Sequence, residues 1–415
     1  LFSSIYIIGT GLSITVVMAL SIVFYIKIAN IYPETNRDRL LVVVRAVEKK
    51  KDGKGRILAY LSPKTVETCF TSLKSAEAVS IESINYDKNF FIQTDGTEEQ
   101  LPVSLKYVDE NFWTVFTFRF INGKPFTQAD VQSGIRTAVI SESLARRLFG
   151  TTEATGRTLS LNFNTFQVCG VVRDVSFLTE QTFAQLWLPY PLNPHYQLTF
   201  TGDQTVGQLR VYILAPSTDK INAVKQETAD NIDRYNRTLK DVEFSIFGQP
   251  DTHWQSVIRS GKSEVNIHQI VLRYVLILLI LLLIPAVCLS GMTHSRMERR
   301  IAETGVRRTF GATVANLMTQ IITENLLFTL LGGIVGLLSS YAVILLGRGW
   351  ITRVIGQASS LPDNVDIVFS PSMLLNMPVF TIALLICFLL NLLSSLIPAW
   401  QHSHREIVHS LNAKL

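Results

Sequence analysis

Four long apolar blocks punctuate the chain: Tyr6–Ile28, Ile270–Ser290, about Leu317–Leu346 and about Met373–Leu396. Each approaches or exceeds the roughly 20 apolar residues that a helix needs to cross a bilayer. One block comes first, a long polar stretch follows, and three blocks close the chain. The pattern predicts an α-helical membrane protein with four transmembrane helices in a 1+3 arrangement and a large α/β domain between the first and second. The first block is too long for a signal peptide and lacks an Ala-x-Ala-like cleavage site, so we expect a retained span. With Leu at position 1, we expect the natural chain to start earlier.

Inside the polar stretch the period shifts between strand and helix. Leu40–Val47 reads as a strand. Pro63–Ser75 reads as a helix, with Ser62 placed to cap it and Pro63 at its first position. Ala78–Asn85 reads as a second strand. The same order returns with Gln208–Leu214 as a strand, Thr218–Arg237 as an amphipathic helix and Val242–Phe247 as a strand. Two β-α-β units therefore flank an insertion at about 100–205. That insertion carries short strands at Ala138–Ile140, Thr158–Leu161 and Phe166–Val172 and a helix at Ser141–Phe149. The expected boundaries are 1–29 for the first span, 30–268 for the domain and 269–415 for the three-span part. Helix-compatible polar segments beside the first two spans predict continuous stalks.

Charge sets the orientation. Between the second and third blocks lie Arg296, Arg299, Arg300, Arg307 and Arg308 against only Glu298 and Glu303. Such an excess marks a cytoplasmic loop. Both chain ends then lie inside, and residues 30–268 lie outside. The loop itself reads as a short helix at about 296–312: Met297 and Ile301 fall at i,i+4, Gly311 fits its stop and Thr313 can cap the next helix. A short helix held between two spans is a lever. The chain is 47% apolar with a mean hydropathy of +0.27 and a net charge of +5, and it shows no basic stripe with interleaved aromatics. A nucleic-acid partner is excluded on that ground.

Candidate chemistry is sparse. Gly150–Thr158 has one residue too many between its glycines for a phosphate loop, and Arg157 replaces the lysine. Gly261-Lys262-Ser263 lacks the earlier glycine, which is Ser256. No nucleotide site is expected in this chain. There is no Gly-x-Ser-x-Gly elbow, so His195 and His253 read as surface or packing residues, and Asp95, Glu98 and Glu99 as a solvated loop. Cys288 and Cys387 read as buried hydrophobes. Cys69 and Cys169 are far enough apart for a disulfide that sequence leaves open, and no cysteine–histidine cluster has zinc spacing. Glu324, near the start of the third block, faces either a bundle interior or a wet helix end. Gly332 and Gly336, with Gly333 beside them, have the small-xxx-small spacing of close helix approach, within the chain or at a dimer seam. Asn391 in the fourth block reads as an interhelical hydrogen-bonding residue.

These residues resemble a known family. Arg299-Arg-Ile-Ala-Glu-Thr-Gly-Val-Arg-Arg-Thr-Phe-Gly-Ala-Thr313, Glu324, Gly332-Gly-Ile-Val-Gly336 and Ile397-Pro-Ala-Trp400 look like the signature of FtsX/MacB-like ABC transporter permeases. Val108–Phe112, Asn122–Phe126, Val139–Gly150, Gly156–Leu159 and Val168–Val172 look like the MacB-type periplasmic core domain. Thr304 and Phe310 depart from the usual pattern. The resemblance implies that Arg299, Arg300, Glu303, Gly305, Val306, Arg307, Arg308, Phe310, Gly311 and Ala312 form a coupling helix docking on a separate ATPase. That ATPase would hold the ATP and magnesium, leaving this chain non-catalytic and without cofactor. It implies two ATPase chains and a second permease chain, identical or related, in a bacterial inner membrane with a large periplasmic domain. ATP-driven motion would be transmitted to that domain for export, with a membrane-fusion protein and an outer-membrane channel as further partners. A lipoprotein-releasing permease of the LolC/LolE kind and a regulatory permease controlling a cell-wall hydrolase or sensor share the topology.

Overall fold

The computed structural model describes residues 2–53, 55–85, 90–93, 100–259 and 313–346, with further single positions in 268–276 and 380–392. These residues fall into two compact units, one holding Leu1–Tyr25 and the chain from His268 through Val354, the other holding Ile26–Ile267.

The larger unit is α/β. Its first strands are β1 (Leu40–Val43), β2 (Ala46–Lys50), β3 (Arg56–Leu61) and β4 (Ala78–Ser83), with helix α2 (Pro63–Cys69) between β3 and β4. The helix starts where predicted: the Ser62 side chain accepts from Thr65 N and Pro63 follows it. It stops earlier than the periodicity suggests. Asn231 Nδ2 donates to the Cys69 carbonyl at 2.9 Å, satisfying an end that a further turn would have covered. The expected strand 40–47 is also divided. Gln249 Oε1 accepts from Val44 N at 2.7 Å and its Nε2 donates to Arg45 O at 2.7 Å, so one side chain replaces a neighbouring strand at that point.

The second unit of the pattern is β14 (Leu209–Leu214), α6 (Ile221–Thr238) and β15 (Val242–Ser245). Strand β14 lies between β1 and β4, antiparallel to both, while β15 pairs with β2. The two β-α-β units thus interleave. Their buried face holds Leu41, Val43, Val66, Phe70, Val211, Ile213, Val224 and Phe244.

Between them run β5 (Phe90–Gln93), β6 (Leu101–Val103), β7 (Leu105–Val108), α3 (Phe112–Val115), β8 (Phe120–Gly123), α4 (Gln128–Ser133), β9 (Thr137–Ser141), α5 (Glu142–Phe149), β10 (Thr158–Leu161), β11 (Asn164–Val172) and β12 (Leu186–Pro189). Short strands β13 (Val206–Gly207) and β16 (Asp251–Thr252) pair with β3 and β1. All pair into one sheet, with β7 joining β4 to the inserted strands. Strand β5 already pairs with β10, so the inserted sheet begins before residue 100. A second face of the sheet carries an aromatic cluster of Phe112, Trp113, Phe116, Trp187 and Tyr212 with edge-to-face contacts. Cys69 and Cys169 are free thiols.

Two long helices, α1 (Phe2–Ile28) and α8 (Val314–Leu346), are predominantly apolar. Thr313 caps α8, its Oγ1 accepting from Asn316 N at 3.3 Å. Among the described residues no helix is long and apolar enough to cross a membrane. Of the four predicted blocks, the second and fourth lie largely outside the described residues.

Candidate functional site

The site is built where α1 ends. A helix leaves its last carbonyls without intrahelical partners, and its C-terminal dipole attracts a cation. Here the Arg37 guanidinium meets both needs: Nη1 donates to Ile26 O and to Ala29 O, each at 2.7 Å. His253 Nε2 donates to the carbonyl between them, Lys27 O, at 2.9 Å. Arg37 is 3% exposed and His253 3% exposed, so neither is a surface group.

A buried guanidinium requires an acid. Arg37 Nε donates to Glu34 Oε2 at 2.7 Å, three residues earlier in the chain. The other carboxylate oxygen, Oε1, accepts from Thr182 N at 3.1 Å and Thr182 Oγ1 at 2.9 Å. Burial works to raise the Glu34 carboxyl, but Arg37 and the hydrogen bonds from Arg37 and Thr182 outweigh it and hold it below the ordinary range. Burial pushes the His253 imidazole down to about 4, with Arg37 adding to the fall and Glu34 opposing it. The ring is therefore neutral, with the proton on Nε2. His253 Nδ1 is buried with no hydrogen-bond partner among the described residues.

Each member is fixed from behind. Thr182 O accepts from Trp187 Nε1 of the aromatic cluster at 3.3 Å. Pro33 O accepts from Thr117 N at 2.9 Å, and Tyr32 Oη from Arg119 N at 3.0 Å. His253 opens α7 (His253–Ile258), which follows directly on β16 and so is tied to β1. Arg259, just past α7, closes back on Asp251, with Nη2 2.7 Å from Oδ1. The node thus ties the end of α1 to the segment entering the domain, to the inserted part of the sheet and to the segment leaving it.

Such an arrangement cannot do acid–base work on a substrate. Its members are buried and, His253 Nδ1 apart, hydrogen-bonded to one another or to backbone. It can hold a helix end rigidly. Of the two readings of His253, surface or packing residue, the buried position fits the second, with a hydrogen bond to the end of α1 that the sequence did not indicate. Glu34 and Arg37 went unnoticed in the sequence. Their one signal is an acid and a base at i,i+3 just after an apolar block.

The coupling residues Arg299, Arg300, Glu303, Gly305, Val306, Arg307, Arg308, Phe310, Gly311 and Ala312 lie outside the described residues, as do Asp95, Glu98, Glu99 and Asn391. Glu324 is half-buried on α8, and its Oε1 accepts from Gln320 Nε2 at 3.2 Å. Gly332, Gly333 and Gly336 are buried. A Cβ at Gly336 would lie 2.7 Å from Ile14 Cγ2 and 2.8 Å from Gly11 O of α1. Thr15 Oγ1 donates to Gly11 O at 2.8 Å and to Gly336 O at 3.3 Å, so α1 of the same chain covers this edge of α8. No group of three or more metal-ligating side chains exists among the described residues.

The MacB-like periplasmic core domain matches residues 3–231 and the FtsX-like permease C-terminal domain matches residues 275–407. The chain belongs to the MacB/FtsX-like ABC transporter permease family. Among curated members it is 23% identical over 258 residues to the ABC transporter permease YknZ of Bacillus subtilis, covering 61% of each chain. It is 24% identical over 254 residues to the macrolide export ATP-binding/permease protein MacB of Neisseria meningitidis, covering 61% of this chain and 37% of that one. The match thus spans under two thirds of either relative's length. Among solved structures, the periplasmic region of MacB from Actinobacillus actinomycetemcomitans aligns at 16% identity over 54% of this chain and 96% of that one, with a TM-score of 0.34. A permease domain from Porphyromonas gingivalis aligns at 15% identity over 50% and 88%, with a TM-score of 0.36. At these TM-scores neither alignment carries weight beside the family match. Members of this family are membrane permeases with an extracytoplasmic domain.

Proposed function

We propose that the chain is the membrane subunit of a MacB-type exporter that transmits the motion of a separate ATPase to its periplasmic domain. The observation that supports this most is the order of the two family matches, a core domain followed by a permease domain, on a chain whose α1 is keyed into the domain by a buried ionic node. In this reading the four apolar blocks span the bacterial inner membrane in a 1+3 arrangement. Both ends are cytoplasmic, and residues 30–268 are periplasmic. Two permease chains, identical or related, pair with two ATPase chains that bind ATP and magnesium. The Gly332/Gly336 edge serves packing of α8 on α1, which leaves another helix face for the seam between permeases.

The docking element in this proposal is Arg299–Ala312. Its arginines offer forked donors to carboxylates on the ATPase. Glu303 pairs with Arg299 or Arg307 and stiffens the helix by about 0.3–0.5 kcal/mol per exposed pair. Gly305 admits the partner surface. Gly305→Trp leaves every positive charge in place, so the chain should insert with its normal topology, yet it should lose ATPase binding and stimulated hydrolysis. Normal binding and stimulation by a correctly inserted Gly305→Trp chain would sink this assignment. Export is preferred to lipoprotein release or regulation because MacB proteins of macrolide export recur among the relatives.

A further inference from the structure

We propose that Glu34, Arg37, Thr182 and His253 form a buried clamp that makes the last turn of α1 move as one body with the α/β domain. The proposal rests on the transmission reading above and names the residues that carry the motion into the domain.

The argument begins with what a helix end needs in order to push. An apolar contact is non-directional and can slide, because its energy follows the area buried rather than the angle of approach. A hydrogen bond weakens steeply with misalignment and is lost beyond about 3.5 Å. The end of α1 is held by three directional bonds, Ile26 O and Ala29 O to Arg37 and Lys27 O to His253. Displacing the helix end along its axis would break all three at once. Breaking them would also strand buried groups, since Arg37 and Glu34 side chains are 1% and 0% exposed. An uncompensated buried charge is strongly unfavourable, so the joint resists opening and its parts travel together.

The clamp also gathers both connections of the domain. Residues 26–37 enter it after the first apolar block. Residues 251–259, tied by β16 to β1 and by Arg259 to Asp251, leave it before the second. Thr182, backed by Trp187, adds the inserted part of the sheet. A push arriving at either connection is thereby shared by the sheet core, its insertion and the other connection.

The test uses the full chain assembled with its ATPase in lipid bilayers, with fluorophores carried by non-natural residues at position 163, on an exposed hairpin tip, and at position 409, near the chain end. Two variants are compared with the unmodified clamp. Glu34→Gln/Arg37→Met removes the ion pair as a unit while keeping an acceptor for Thr182. His253→Leu removes the bond to Lys27. We expect ATP to change the inter-fluorophore distance in the unmodified chain. In each variant the change should shrink by about twofold or more, while ATPase binding and hydrolysis persist uncoupled. A full distance change in either variant, folded by its thermal melt, overturns the clamp and leaves the transmission reading intact. No change in the unmodified chain overturns the transmission reading itself. Should the double variant fail to accumulate, His253→Leu decides between the outcomes.

Discussion

Glu34 and Glu82 are both buried carboxylates paired with arginine, and they differ in what they connect. Glu82 accepts from Lys106 Nζ at 2.6 Å, Arg210 Nη1 at 3.2 Å and Tyr212 Oη at 2.5 Å. These partners stand on β7 and β14, the strands on either side of β4, and Arg210 is the direct cross-strand neighbour of Glu82. The backbone ladder already fixes that register, so the Glu82 network reinforces a joint that exists without it. Glu34 and Arg37 join a helix end, an inserted loop and, with His253, the start of α7, through side-chain bonds that lie outside the strand ladder, although β16 just before α7 pairs with β1. Similar chemistry therefore stabilises the sheet in one place and makes a mechanical connection in the other.

The largest expected effects come from removing one member of either cluster. Arg37→Ala leaves Glu34 buried without its cation, and Glu82→Ala leaves Lys106 and Arg210 without their acid. Each should cost about 3–5 kcal/mol of domain stability by denaturant melt. The comparison predicts that they diverge in the assembled complex, where Glu82→Ala lowers stability but leaves the ATP-driven distance change intact. Equal loss of motion in both would erase the distinction.

A smaller effect is expected from Gly336→Leu, which drives a side chain into Ile14 and the Gly11 carbonyl. Overpacking of this kind costs about 1–3 kcal/mol. It should separate α1 from α8 and lower thermal stability without changing the clamp. A chain with unaltered melting would show that this edge is not tightly packed.

Two pH dependences are expected with opposite signs. His253 falls from an ordinary value of 6.5 to about 4, so the stability it lends is complete above about 6.5 and is lost as pH falls through about 4. Asp109 lies in the sheet region, where Ser80 Oγ and Phe112 N both donate to its Oδ1. Burial lifts its carboxyl from 3.8 to about 8, so its contribution is complete below about 3.8 and is lost as pH rises through about 8. Melting temperatures across this range should show His253→Leu flattening the acid limb and Asp109→Asn the alkaline limb. Retention of either limb in its own variant would contradict the assignment.

Much of this frame was legible in the sequence because it depends on local pattern. The Ser62–Pro63 start of α2, the Thr313 cap of α8 and the repeated β-α-β order follow from capping and periodicity within a few residues. The glycine spacing at Gly332 and Gly336 left packing within the chain and a dimer seam open, and α1 lies against Gly336. The break at Val44–Arg45 was not legible, because it is made by Gln249, about 200 residues away in the chain. The clamp was hidden for the same reason. His253 reaches the end of α1 across 226 residues, and nothing local distinguishes a buried histidine from a surface one.

The central claim is that motion enters the domain through the joined segments 26–37 and 251–259. Hydrogen exchange on the assembled complex, with and without a non-hydrolysable ATP analogue, tests it most directly. The account predicts that backbone amides of both segments change protection together on nucleotide binding. A change confined to one segment, or none in either while the ATPase is loaded, would contradict it.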